Sequence, residues 1–309
     1  MIFNKILIIS IFISTFSYSS IRSDFPSYSY ILTEFDIEES FIDNPEFQHF
    51  VQKNQHDYRK RYMNAVNRGG LIVPTIREMM YERDISPLFL YLSMVESSFK
   101  PEATSRTGAG GLWQFVVNTG KEQNLKISQN LDERFDPIRS TDAAIKYLYK
   151  MNNNLDKWYL TAMAYNCGNG CVNKSILKSG SKDLARLINP ENNFIKEETR
   201  NYIQKILLMA MIGENYLFTD NDRLGNMIAN LPKDKIVPVQ VRSGESLSRL
   251  ASILNMNKYY LEKINAHLKN GRAPNILGYR INIPKSKVPL FNARYAANMR
   301  QQNRNYIRR

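Results

Sequence analysis

The chain has 309 residues, 43% of them hydrophobic, and 42 Lys and Arg against 29 Asp and Glu give a formal net charge of +13. This length and apolar content exclude wholesale disorder and leave room for more than one domain. The basic balance suits nucleic acid, an anionic membrane or an acidic wall, and does not choose among them.

Met1–Ser19 has the layout of an export signal. Lys5 supplies the positive start, Ile6–Phe16 is apolar, and Ser17 and Ser19 are small residues suited to a cleavage site. The apolar core is short for a spanning helix, and no Cys follows it to carry a lipid. A buried N-terminal strand or helix is the competing reading. Residues 20–70 read as a helical N-terminal extension, in which the polar and aromatic Ser20–Asn67 forms an extended lead-in followed by a helix that packs on the main domain.

From Leu71 the apolar period becomes helical. Leu71–Pro74 leads into a helix over Thr75–Glu82, and Ser86-Pro87 starts the next. Phe89, Leu92 and Glu96 then fall on one face. A carboxylate in line with buried apolar side chains loses solvation, so its pKa rises. A Gly-rich bend follows, with Gly108, Gly110 and Gly111, and closes on Leu112-Trp113-Gln114. Trp113 suits either a sugar face or the core. After the acidic loop Leu131–Pro137, Ser140 reads as the cap of a helix from Thr141 to about Asn153. Trp158–Tyr165 is a short apolar helix ending at the Asn166–Gly170 break, and Glu197–Tyr216 is a long one whose apolar face Gly213 interrupts.

Asp220–Lys235 reads as a linker. The period then changes to two at Val237, Val239 and Val241, and a β-α-α-β unit runs to the closing strand Arg280–Pro284. Beyond it lie seven Lys and Arg and no acid. That tail reads either as solvated and disordered or as holding the protein near an anionic surface. The only cysteines, Cys167 and Cys171, are close enough to pair, but a loop this short often stays open. The three histidines lack metal-ligand spacing, so no metal and no cofactor is expected.

Two family resemblances enter on these residues. Leu71–Tyr216 resembles the soluble-lytic-transglycosylase domain through four ordered blocks. They are Glu96-Ser97 through Gly111-Leu112 and Gln114, Asp132–Thr141, Ala164-Tyr165-Asn166-Cys167-Gly168, and Glu198-Thr199-Arg200-Asn201-Tyr202. Val239–Pro284 resembles a LysM module through Val241, Gly244–Leu247, Leu250-Ala251, Asn265, Leu277-Gly278 and Ile281–Pro284, with Val239 in place of the usual aromatic and Glu-Ser in place of Asp-Thr. Together they are similar to the D type of membrane-bound lytic murein transglycosylases. The missing lipid-carrying Cys departs from that type.

The resemblance implies an α+β chain: a mostly helical lysozyme-like domain over residues 71–219, a linker over 220–236, a βααβ LysM domain over 237–285 and a basic tail over 286–309. It implies an exported, periplasmic or envelope enzyme acting on peptidoglycan glycan strands, monomeric and without a nucleic-acid partner. Membrane or envelope association is expected through the N-terminal segment or the tail. Glu96 is the implied acid, and Ser105, Gln114, Tyr165, Asn166 and Tyr202 the implied sugar contacts, against turn, capping or core roles for each. Gly244, Glu245, Ser246, Ile276 and Leu277 are the implied LysM contacts, against plain structural turns. Glycoside hydrolases usually use two carboxylates; the family resembled uses one Glu twice. A hydrolytic muramidase with a second acid from the 132–136 loop, and a non-catalytic wall-binding protein, are the alternatives.

Overall fold

A computed structural model of the protein describes residues 21–218 and 234–296. The export segment 1–19, linker residues 220–233 and tail residues 297–309 lie outside the described residues.

Within the N-terminal extension, the lead-in read as extended is itself helical. Short helices α1 (Ile21–Asp24) and α2 (Tyr28–Glu34) and a 3-10 turn at Glu39–Asp43 precede the long α3 (Pro45–Gly69). Their aromatic residues explain the difference: Phe25, Phe35, Phe41 and Phe47 are buried in the core, and that burial outweighs the polar residues between them. Asn44 starts α3 by accepting from the Phe47 amide at 3.0 Å, with Pro45 in the first turn.

Helix α4 (Ile72–Tyr81) starts three residues earlier than the sequence suggests, with Pro74 in its first turn, where a missing N–H costs nothing. After α5 (Leu90–Ser97) and the short α6 (Val117–Glu122), α7 spans Pro137–Leu155. Its cap is Asp136 and not Ser140: the Asp136 carboxylate accepts from the Ile138 and Arg139 amides, while Ser140 donates back to the Asp136 carbonyl. Helices α8 (Trp158–Cys167) and α9 (Asn169–Ser179) are separated by one residue, Gly168, at φ +86°. Cys167 and Cys171 are disulfide-bonded across that break.

The short α10 (Leu184–Ile188) leads to α11 (Glu197–Phe218), which packs against α2, α3, α5 and α8. From Ile203 to Ile212, α11 is buried nearly all round, as a central helix must be. Gly213 does not interrupt its packing. A Cβ at Gly213 would overlap the Tyr91 ring, so this glycine is the space that Tyr91 fills. Tyr91 then donates to the buried Glu214, which Arg77 also pairs at 2.8 Å.

The C-terminal unit has strands β1 (Ile236–Gln240) and β2 (Arg280–Pro284), antiparallel with Ile236 opposite Pro284 and Gln240 opposite Arg280. Between them lie α12 (Leu247–Ile253) and α13 (Lys258–Lys263). Asn265 clamps the unit: its amide donates to the Leu261 and Asn282 carbonyls and accepts from the Asn282 amide. The first part of the tail is folded, which corrects the solvated reading as far as residue 296. Helix α14 (Val288–Phe291) and the turn after it bring Tyr295 against Phe291 and onto Glu245. No helix of the described residues is long and apolar enough to cross a membrane.

Candidate active site

Glu96 sits in the last turn of α5, half-buried. The chain leaves the helix sharply: Ser98 and Phe99 both take left-handed φ, at +51° and +55°. Two such non-glycine residues in succession are costly. Here Phe99 is buried, its ring against Gly69, and the Ser98 amide still bonds the Met94 carbonyl.

The Gly-rich bend then folds back over the acid. Isolated bridges join Thr104 to Gly110 and Gly110 to Phe115. Ser105 closes the tip by accepting from the Ala109 amide at 2.9 Å, and its hydroxyl also lies 3.0 Å from that of Thr107. Gln114, at φ +49°, donates its amide to the Gly111 carbonyl at 2.8 Å and to the Ala103 carbonyl at 3.3 Å. Both residues therefore hold the loop together and also line the cleft. Trp113 is a core residue and not a sugar platform: it is fully buried, with its indole N–H on Thr141.

An open cleft of about 440 Å³ is lined by Glu96, Ser105, Gln114, Tyr165 and Asn166, all predicted from sequence. Thr107, Thr119, Tyr147 and Glu198 line it as well. Tyr165 donates to the Trp113 carbonyl at 2.7 Å, and Asn166 accepts from Thr199 at 2.7 Å. These bonds join the end of α8 to the loop and to the first turn of α11. Tyr202 is buried behind the acid, and its hydroxyl donates to Glu96 Oε1 at 2.5 Å.

Burial pushes the Glu96 carboxyl up to about 7; the Tyr202 bond and Lys205 oppose the rise, and Glu198 adds to it. Glu96 makes no ion pair among the described residues. Such a group is protonated in a good fraction of molecules near neutral pH and can both give and take a proton. Burial, with the Glu96 charge second, also holds the Tyr165 and Tyr202 hydroxyls well above their ordinary range, so both remain donors.

The acids of the 132–136 loop do not face this cleft. Asp132 is paired with Arg134 at 2.7 Å, and Glu133 and Asp136 with Arg139 at 3.1 and 3.5 Å. All three are buried. The sequence reading missed Glu198 and Lys205 as neighbours of Glu96. The signal for them was helical spacing: residues 198, 202 and 205 share one face of α11.

Among the implied LysM contacts, Leu277 is 97% exposed. Gly244 turns the chain at φ +70°, and Ser246 caps α12. Glu245 is buried and bonded to Tyr295, Arg249 and Arg242, so it holds its loop together. Among the described residues no group of three or more His, Cys, Asp or Glu could hold a metal ion.

Residues 75–188 match the family model of the Transglycosylase SLT domain. The chain is 29% identical over 225 residues to membrane-bound lytic murein transglycosylase D of Escherichia coli strain K12, covering 71% of this chain and 47% of that protein. It is also 29% identical over 191 residues to the peptidoglycan transglycosylase gp16 of Escherichia phage T7, covering 60% of this chain and 12% of that one. The chain thus spans about half or less of the length of these relatives. A solved lytic transglycosylase from Pseudomonas aeruginosa overlaps 45% of this chain and 23% of its own, at 21% identity and a TM-score of 0.39, too partial a likeness to set the architecture.

Proposed function

We propose that the protein is an exported peptidoglycan lytic transglycosylase that cuts the β-1,4 bond between N-acetylmuramic acid and N-acetylglucosamine. The observation that carries the reading is one carboxyl group, Glu96, raised to about 7 by burial and held by a tyrosine in an open cleft. The family match over residues 75–188 and the murein transglycosylases among the relatives support the substrate class.

In this mechanism Glu96 gives its proton to the glycosidic oxygen as the bond to the anomeric carbon breaks. The substrate's N-acetyl group supports the positive charge that develops there. Glu96, now a carboxylate stabilised by the Tyr202 hydroxyl, takes the proton from the sugar's own 6-hydroxyl, whose oxygen attacks the anomeric carbon. The product is a 1,6-anhydro end, and no water is consumed. A pKa near neutrality serves both halves, because the same group acts first as acid and then as base. Ser105, Gln114, Tyr165 and Asn166 hold the sugar in this reading.

The βααβ unit is read as a LysM module that holds the enzyme on N-acetylglucosamine-containing glycan, with Leu277 on its exposed loop. The murein transglycosylases named as membrane-bound among the relatives support an envelope location. A water-using muramidase is the second reading. Its proposed second acid in the 132–136 loop is already engaged by arginines, but Glu198 lines the cleft and keeps that chemistry open.

Digestion of purified sacculi by the wild type and by Glu96→Gln, read by mass spectrometry, tests the reading. Anhydro-muropeptides are expected from the wild type, with a loss of about 10²- to 10⁴-fold or more in the variant. Reducing ends alone would establish the muramidase. Full solubilisation by Glu96→Gln would remove catalysis from this site. In the same preparation Leu277→Asp should weaken sedimentation with sacculi, and unchanged sedimentation would count against the module's role.

A further inference from the structure

Residues 126–136 form a strap between the cleft loop and the βααβ unit. On the cleft side the link is Arg134, which is buried. Its guanidinium is held by Asp132 through Nε at 3.0 Å and Nη2 at 2.7 Å. The remaining Nη1 donates to two carbonyls of the bend, Gly108 at 2.7 Å and Phe115 at 2.9 Å. Those carbonyls bracket the segment that carries Gln114 and closes on Ser105. The backbone fit is equally close: a Cβ on Gly111, at φ +79°, would overlap the Arg134 carbonyl, and one on Gly110 would press into the Phe135 ring.

On the other side the strap is held by the C-terminal unit. The Asp132 amide donates to the His267 carbonyl at 2.9 Å, and the Lys269 amide to the Asn130 carbonyl at 3.1 Å. Lys269 Nζ stands 3.3 Å from the Phe135 ring centre. Asn282 donates to Asp136 at 3.0 Å, and Arg139 lies over the Tyr279 ring. Asp132 therefore touches both sides: its amide faces the unit and its carboxylate fixes Arg134.

We propose that the βααβ unit completes the cleft: docked on the strap, it fixes Arg134 as a positioning residue for the loop that carries Ser105 and Gln114. A module that only tethers the enzyme needs no such contact. A fork that spans one carboxylate and two carbonyls is a task for arginine, because a lysine ammonium cannot offer three separated donors in one plane. The inference rests on reading this cleft as the active site. Its physical part, the coupling of unit to loop, stands or falls without that reading.

The test uses the full chain with three substitutions. Arg134→Lys keeps the charge and removes the fork. Asn282→Asp, on the unit, sets a carboxylate against Asp136. Lys269→Gln, exposed and outside the unit's core, removes the cation over Phe135 and serves if Asn282→Asp fails to fold. Hydrogen exchange of peptides covering residues 103–116 should speed up in each, and turnover of glycan should fall, by about 10- to 100-fold for Arg134→Lys and Asn282→Asp and less for Lys269→Gln. A general loss of folding would instead raise exchange throughout the chain.

Wild-type exchange over 103–116 in folded Lys269→Gln and Arg134→Lys would overturn the coupling. Faster exchange there with unchanged turnover would overturn the positioning role. If the wild type does not cleave glycan at all, the functional reading fails, while the exchange data still decide whether the unit holds the loop.

Discussion

Glu96 in the helical domain and Glu245 in the βααβ unit are both carboxylates withdrawn from water, each bonded by a tyrosine hydroxyl. Burial pushes both upward. Around Glu245, the Tyr295 bond together with Arg249 and Arg242 outweighs it and holds the group below its ordinary value. Around Glu96, Tyr202 and Lys205 do not, and the group rises to about 7. The difference is the number of cations in contact: two at Glu245, and none among the described residues at Glu96. A paired acid holds a loop closed. An acid with only a neutral donor in contact is still protonated in a good fraction of molecules near pH 7 and can give that proton to a substrate.

Opposite dependences of stability on pH give the largest expected contrast. The Glu96 carboxyl is raised in the folded protein, so its contribution is fully present below the unfolded value near 4.5 and is lost as pH rises through about 7. Glu96→Gln lacks that loss. It should gain on the wild type by roughly 3 kcal/mol between pH 4 and pH 9. Glu245 is depressed, so its contribution is present above 4.5 and is lost as pH falls through the lowered value. Glu245→Gln should cost only about 1 kcal/mol at pH 7, because Arg242 and Arg249 are half in water. Urea midpoints of both variants and the wild type at several pH values measure this. Parallel curves for the two variants would erase the distinction.

The tyrosine bond is the next place to sharpen it. Tyr202 stabilises the charged form of Glu96, so Tyr202→Phe should raise the carboxyl by about one further pKa unit, the worth of a hydrogen bond to a charged group. In the proposed mechanism the rate falls as Glu96 loses its proton, so the alkaline limb near pH 7 should move up in the variant. A limb that stays in place would mean that another group sets it.

Much of this site was legible in the sequence, because its parts are side chains at fixed spacings. The helical register put Glu96 beside apolar neighbours, and the ordered blocks marked Tyr165, Asn166 and Tyr202. The bond between Glu96 and Tyr202 joins residues 106 positions apart, and only the fold shows it. Asp136-Pro137 carried a readable cap signal, Asp before Pro at the first turn, and Ser140 was the weaker reading. The docking of the βααβ unit was not legible. It runs through backbone groups such as the Asp132 amide and the His267 carbonyl, which every residue has, and the acids of the strap look in sequence like partners of their own neighbouring arginines. The short helices before α3 were missed for a related reason: they are held by long-range burial of phenylalanines, which local polarity hides.

Glu198 gives the smallest effect and the finest test of why Glu96 differs from Glu245. It is exposed, lines the same cleft, and its charge adds to the rise of the Glu96 carboxyl. Glu198→Gln should therefore lower the alkaline limb, by only a few tenths of a pH unit at low salt, because an exposed charge is screened by water and ions. At about 0.5 M salt, where screening reaches only a few ångströms, the shift should vanish. A shift that survives high salt would put Glu198 in direct contact with the acid. A collapse of turnover with the limb in place would point instead to Glu198 as a base for water. The size of the shift, its response to salt and the turnover thus separate a distant like charge from a second catalytic carboxylate, a point on which the transglycosylase and muramidase readings of this cleft divide, as they do in their products.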